Sequence, residues 1–118
     1  MIKFYKLSKD EPYNIFKDYY DKALIKKQKN IEAVAISSLN TSNKEVNSRF
    51  VNLKYIKDDN WVFFTNYDSP KAKEFKMCNK IHAMFFWHEL NVQIRIKAKI
   101  KKLSKKLSDE HFKERKFE

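Results

Sequence analysis

Glycine is absent from this chain of 118 residues, and proline occurs only 2 times. Without glycine no backbone cradle for phosphate can be written, so neither a Walker A loop nor a GxGxxG dinucleotide turn is present. The same absence excludes collagen-like and flexible-linker chains. Any phosphate has to be held by side chains and ordinary helix ends. Cysteine occurs 1 time, which leaves no internal disulfide and points to a reducing cytoplasm. No apolar run approaches the ~18–20 residues of a membrane span, and the first residues show no signal-peptide core. His82, His88 and His111 do not fall at metal-ligand spacing, so no zinc site is expected.

What is abundant is lysine. The chain carries 23 Lys but only 3 Arg, within a net charge of +11. The lysines are scattered and read mostly as solvated surface, with the densest strip at Lys97 to Lys106. The arginines carry more information, because this composition avoids them and their rigid fork matches phosphate oxygens in a way that lysine cannot. Apolar residues make up 42% and aromatics 15%, enough for a real core and against wholesale disorder. The length fits one domain over residues 1–118.

Local patterns give the order of elements. Asp10-Glu11-Pro12 reads as a helix start, and apolar pairs Ile15/Phe16, Tyr19/Tyr20 and Ala23/Leu24 recur at helical spacing to about Gln28. Strands follow at Ile31–Leu39, Ser48–Ile56 and Trp61–Thr65, the last two as a hairpin over Lys57–Asn60. Ser69 and Pro70 begin a short helix that runs to about Cys78. Ile81–Trp87 and Asn91–Leu103 are two more strands, the second alternating cleanly between Val92, Ile94, Ile96, Ala98 and Gln93, Arg95, Lys97, Lys99. A final helix begins at about residue 105. Short strands with hairpin-length links suggest a mainly β chain with flanking helices, closed as a small antiparallel barrel.

Four short stretches carry the chemistry. They are Arg49-Phe50-Val51-Asn52-Leu53-Lys54, Phe63 to Lys71 with Thr65-Asn66 and Ser69, Trp87-His88-Glu89-Leu90, and Gln93-Ile94-Arg95. Read in order, they resemble the pyridoxine/pyridoxamine 5′-phosphate oxidase family, whose pattern is close to R-x-V-x-L-K, F-x-T-N-x-x-S-x-K, W-x-x-L and Q-x-R. The resemblance covers about Phe16 to Arg115. It implies an FMN-binding split barrel, and a homodimer with the flavin at the subunit boundary. The implied reaction, in vitamin B6 metabolism, oxidises pyridoxamine or pyridoxine 5′-phosphate to pyridoxal 5′-phosphate with O2 as acceptor. Arg49 then corresponds to the phosphate-binding arginine, with Phe64, Thr65, Lys71 and Gln93 as further FMN contacts. Lys54 stands near both flavin and substrate phosphate, and His111 and Arg115 hold the substrate. No side chain is singled out as a catalytic acid or base, since the redox chemistry belongs to the flavin.

Two departures stand out. Pro70 replaces a family arginine, at a cost of ~1.5–3 kcal/mol in phosphate binding if nothing compensates. The sequence also ends at Glu118, before the family's S-Q pair, Trp and Arg, as a fragment or a shortened relative would. Two other readings therefore stand beside the oxidase: an FMN-binding module with no activity or another substrate, and a basic nucleic-acid binder using Lys97–Lys106. Arg49 and Lys54 are five apart, on opposite faces of a regular strand. One site can hold both only if the strand bends or bulges, or if subunits share it.

Overall fold

A computed structural model describes residues 1–64 and 70–101, with the backbone alone for residues 70–72. Helix α1, Glu11–Ile25, starts at Asp10 with proline in its first turn, as its sequence predicts. The strands are β1 (Lys3–Tyr5), β2 (Ala33–Asn40), β3 (Glu45–Lys57), β4 (Asn60–Phe63), β5 (Lys80–Trp87) and β6 (Val92–Lys99). Helix α2, Pro70–Met77, lies between β4 and β5. The sheet order is β1-β3-β2-β5-β6, with β4 also paired to β3. The chain is thus mainly β with flanking helices, as expected. The expected C-terminal helix lies outside the described residues.

Strand β3 explains how two sheets share one core. Its first part, through Asn52, pairs antiparallel with β2, and its last part pairs with β4 and β1. The ladder to β4 skips between Leu53 and Tyr55, which leaves Lys54 as an extra residue in a bulge. After the bulge both Tyr55 and Ile56 are buried. One strand therefore feeds two sheets, and the chain closes without glycine at the corner.

Strand β1, which the residue pattern does not predict, adds one parallel pairing with β3 to the antiparallel ladders. Three residues carry too little periodicity to read as a strand, and only their long-range partner makes them one. The turns are also unusual. With no glycine available, Lys6, Lys27, Asn30, Lys44, Asp58 and Asn91 take positive φ between 47° and 59°. Asn and Asp tolerate this region by bonding locally, whereas the three lysines bear its steric cost directly.

Aromatics fill the core. Phe16 of α1 lies 4.6 Å from Trp61 and 5.4 Å from both Phe85 and Trp87, ring centroid to centroid. Trp87 Nε1 donates to the Ile31 carbonyl at 3.0 Å, so the buried indole keeps its hydrogen bond. The run Met84-Phe85-Phe86-Trp87 splits by strand alternation: Phe85 and Trp87 are buried, while Phe86 is 57% exposed on the outer face. No helix among the described residues is long and apolar enough to cross a membrane.

Candidate functional site

The inner face of the β2–β3 ladder changes character along its length. Val34 faces Val51, Ile36 faces Arg49, and Ser38 faces Asn47. Apolar pairs thus give way to polar ones toward the hairpin. Helix α2 packs across β2 at this polar end and delivers Glu74 into it.

There the side chains meet. Ser38 Oγ donates to Glu74 Oε1 at 2.8 Å, and Asn47 Nδ2 donates to Glu74 Oε2 at 3.0 Å. Arg49 Nη2 stands 3.8 Å from Glu74 Oε1, an ion-pair distance too long for a hydrogen bond. Arg49 Nη1 is buried and has no acceptor among the described residues. A buried guanidinium N–H without a partner is costly, and an anion at that atom would satisfy it. The residues present thus fit a phosphate group at Arg49, on the strength of that unpaired donor. A separate groove of about 620 Å³ lies on the outer face of the sheet, where Leu39, Val46, His82 and Lys97 line it; Arg49 and Glu74 are not part of its lining.

The other sequence-predicted residues fall as follows. Lys54 occupies the bulge, half-buried, which meets the condition under which it and Arg49 could serve one site. Phe64 follows β4 and is half-buried. Gln93 is exposed on β6 opposite Phe86, and its Nε2 lies 3.1 Å from Met84 Sδ. Arg95, opposite Met84, is exposed on that same face. Register carries the inner face from Arg49 through Ile36 and Ala83 to Ile96, so within one chain Arg49 and Gln93 lie on opposite faces. The structure brings Arg49 together with Glu74, and does not bring it together with Gln93. Thr65, His111 and Arg115 lie outside the described residues, as does the side chain of Lys71, whose backbone is in the first turn of α2. Half of the basic strip, Lys102 to Lys106, lies outside them too; its described members Lys97, Lys99 and Lys101 are exposed.

Sequence reasoning missed Glu74, Ser38 and Asn47. One signal existed: Glu74 is the only acid in Pro70–Met77, a segment otherwise of lysines and apolar residues. An isolated acid on a helix expected to face a cation is a candidate partner for it. Among the described residues no cluster of His, Cys, Asp and Glu could hold a metal.

No protein-family model matches the sequence. Curated relatives do. The chain is 36% identical over 110 residues to the pyridoxine/pyridoxamine 5′-phosphate oxidase of Neisseria gonorrhoeae, covering 92% of the chain and 51% of that protein. It is 33% identical over 102 residues to pyridoxine/pyridoxamine 5′-phosphate oxidase 1 of Hydrogenovibrio crunogenus, covering 86% and 47%. It is 35% identical over 105 residues to the enzyme of that name from Christiangramia forsetii, covering 87% and 48%. The chain spans about half the length of the curated relatives it matches. Two solved structures share the fold. PhzG from Burkholderia lata, in complex with tetrahydrophenazine-1-carboxylic acid, superposes with a TM-score of 0.79 at 24% identity, over 85% of this chain and 49% of PhzG. A pyridoxamine 5′-phosphate oxidase-related, FMN-binding protein from Nostoc punctiforme gives 0.64 at 13% identity, over 79% and 51%.

Proposed function

Since the chain is a relative of the pyridoxine/pyridoxamine 5′-phosphate oxidases, we propose that it binds FMN and serves the oxidation of pyridoxamine or pyridoxine 5′-phosphate to pyridoxal 5′-phosphate. The observation that carries the reading is the buried, unpaired Nη1 of Arg49 at the polar end of the barrel. The redox chemistry, acceptance of a hydride from the substrate and return of the electrons to O2, is what FMN would supply when bound.

The chain's own residues bind and orient. Arg49 holds the flavin phosphate by a charge-assisted hydrogen bond, and Lys71 adds charge at the start of α2, where the helix end favours an anion. Thr65 and Phe64 are assigned further contacts to FMN by the resemblance to the family. Lys54 would serve both the flavin and the substrate phosphate, and His111 and Arg115 would hold the substrate. Gln93 addresses the flavin ring. Because Gln93 and Arg49 occupy opposite faces of one chain's sheet, a shared site requires two copies, with the outer face of one against the other. That face carries Phe50, 75% exposed, and Phe86, 57% exposed, as a dimer contact would.

The first test is thermal. Ligand bound only by the folded state raises its melting temperature, so saturating FMN should shift it upward by several degrees. An unchanged melting temperature, with no flavin absorbance on the purified protein, ends the reading. Peroxide release with pyridoxamine 5′-phosphate tests the activity separately. Bound FMN without peroxide identifies an FMN-binding split barrel of another substrate or of no activity. Arg49→Ala should weaken FMN, whereas Arg115→Ala should affect only the substrate.

A further inference from the structure

Glu74 has no role in the flavin reading, and a carboxylate beside a phosphate-binding arginine looks at first like a defect. Burying an unbalanced guanidinium is strongly unfavourable, so Arg49 needs a counter-charge when no ligand is present. A carboxylate free to turn would close on it in a two-pronged pair and use up the fork that a phosphate needs. The geometry avoids this. Each oxygen of Glu74 is already engaged by a neutral donor, Oε1 by Ser38 and Oε2 by Asn47. The guanidinium is left at 3.8 Å from Oε1, with Nη1 unpaired. Ser38 and Asn47 are cross-strand partners one step from the Ile36–Arg49 pair on the same face, so the clamp is fixed by the sheet register itself.

We propose that Ser38, Asn47 and Glu74 form a positioning device that neutralises Arg49 without consuming it, and so keeps its guanidinium available to a phosphate monoester. The inference rests on the flavin reading and adds to it a source of preference for FMN over riboflavin, which lacks the phosphate. Ser38 and Asn47 act through Glu74, and Glu74 acts through Arg49; none of the three needs to touch the ligand.

The test is a rescue. Affinities for FMN and riboflavin are measured by quenching of flavin fluorescence on the whole chain. The Ser38→Ala/Asn47→Ala variant frees Glu74 to close on Arg49. FMN should then bind about tenfold more weakly, the equivalent of one charge-assisted hydrogen bond, while riboflavin is unchanged. Adding Glu74→Gln to that variant removes the competing charge and should return FMN binding to within roughly twofold of the original protein. A purely structural cluster predicts the reverse: three substitutions worse than two, and both flavins weakened alike. Either of those results overturns the proposal. If circular dichroism shows that the double variant does not fold, Asn47→Ala with and without Glu74→Gln makes the same comparison, because Asn47 is half-buried and its loss alone frees Oε2. Failure of the unsubstituted protein to bind FMN removes the flavin reading and the proposal together. FMN binding without rescue removes the proposal alone.

Discussion

At one end of the β2–β3 ladder the inward residues are Val34, Val51 and Leu53, and α1 closes over them with Phe16, Tyr20 and Ala23. At the other end they are Ser38, Asn47 and Arg49, and α2 closes over them with Glu74. The strands are the same and the register is continuous. What differs is the kind of term that holds each end. The aromatic end gains from non-directional burial, with rings about 5 Å apart between centroids. The polar end gains little net energy from its hydrogen bonds, because each replaces one with water. It has instead a fixed arrangement and one donor left unpaired. Stability is concentrated at the first end, and the proposed ligand chemistry at the second.

The sharpest way to break this division is Phe16→Ala. Phe16 is 4% exposed and contacts Trp61, Phe85 and Trp87 at once. Removing a buried ring of this size costs ~3–5 kcal/mol, a large part of a small domain's stability. Urea denaturation should show that loss directly. If the two ends are separate in function, whatever protein remains folded should bind FMN as before. A proportionate loss of FMN affinity would show that the aromatic end shapes the site as well.

Arg49→Ala is the converse. FMN affinity should fall by about tenfold to a hundredfold, since a hydrogen bond to a charged group is worth ~1.5–3 kcal/mol. The melting temperature without ligand should fall less than for Phe16→Ala. Two donors already hold Glu74, so the carboxylate does not become an orphan.

The two ends were also unequally legible in the sequence. The start of α1, the alternation of β6 and the β3–β4 hairpin follow from spacing and turn residues, because burial imposes a period on whichever residues supply it. Strand β1 does not follow, since its pairing with Tyr55–Lys57 lies some fifty residues along the chain. Arg49 was visible as a scarce arginine in a patterned strand. Glu74 was not, because an acid on a basic helix looks like a solvated charge until the register places Ser38 and Asn47 beneath it. The bulge at Lys54 was visible only as a requirement: five-residue spacing from Arg49 demanded an irregularity without locating it.

Tyr20→Phe probes the aromatic end more gently. The Tyr20 hydroxyl accepts from the Ile2 backbone N–H at 2.8 Å and ties the residue before β1 to α1. Its loss strands a buried donor and should cost about 1 kcal/mol, read by urea denaturation near neutral pH. The pH dependence has a defined sign. Burial is the main cause that raises the Tyr20 pKa above the usual phenol range. The folded state therefore keeps the proton longer than the unfolded chain. That contribution is fully present below the ordinary phenol value of about 10 and is lost as pH rises beyond it. Phenylalanine cannot ionise, so the gap between Tyr20→Phe and the parent protein should narrow above that value. A gap that stays constant to high pH would mean that the hydroxyl ionises equally in both states.

The smallest expected effect has the opposite sign. Helix α1 ends with Gln28 N–H donating to the Ala23 carbonyl and Lys27 N–H to the Leu24 carbonyl, each at 3.0 Å. This is the crossed pair of bonds that closes a helix when the next residue is left-handed, and Lys27 takes φ 57°. Glycine is the usual occupant because a side chain there crowds the following carbonyl. Lys27→Gly removes that strain at some cost in unfolded-chain entropy. The net gain should be about 0.5–1 kcal/mol, a rise of a few degrees in melting temperature. Lys27 lies in the connection from α1 to the start of β2, the end of that strand opposite Ser38, so FMN affinity should not move. The same substitution at Asn91, φ 52°, should gain less, since asparagine already tolerates the region. Equal gains at both positions would show that the strain is set by the turn and not by the side chain.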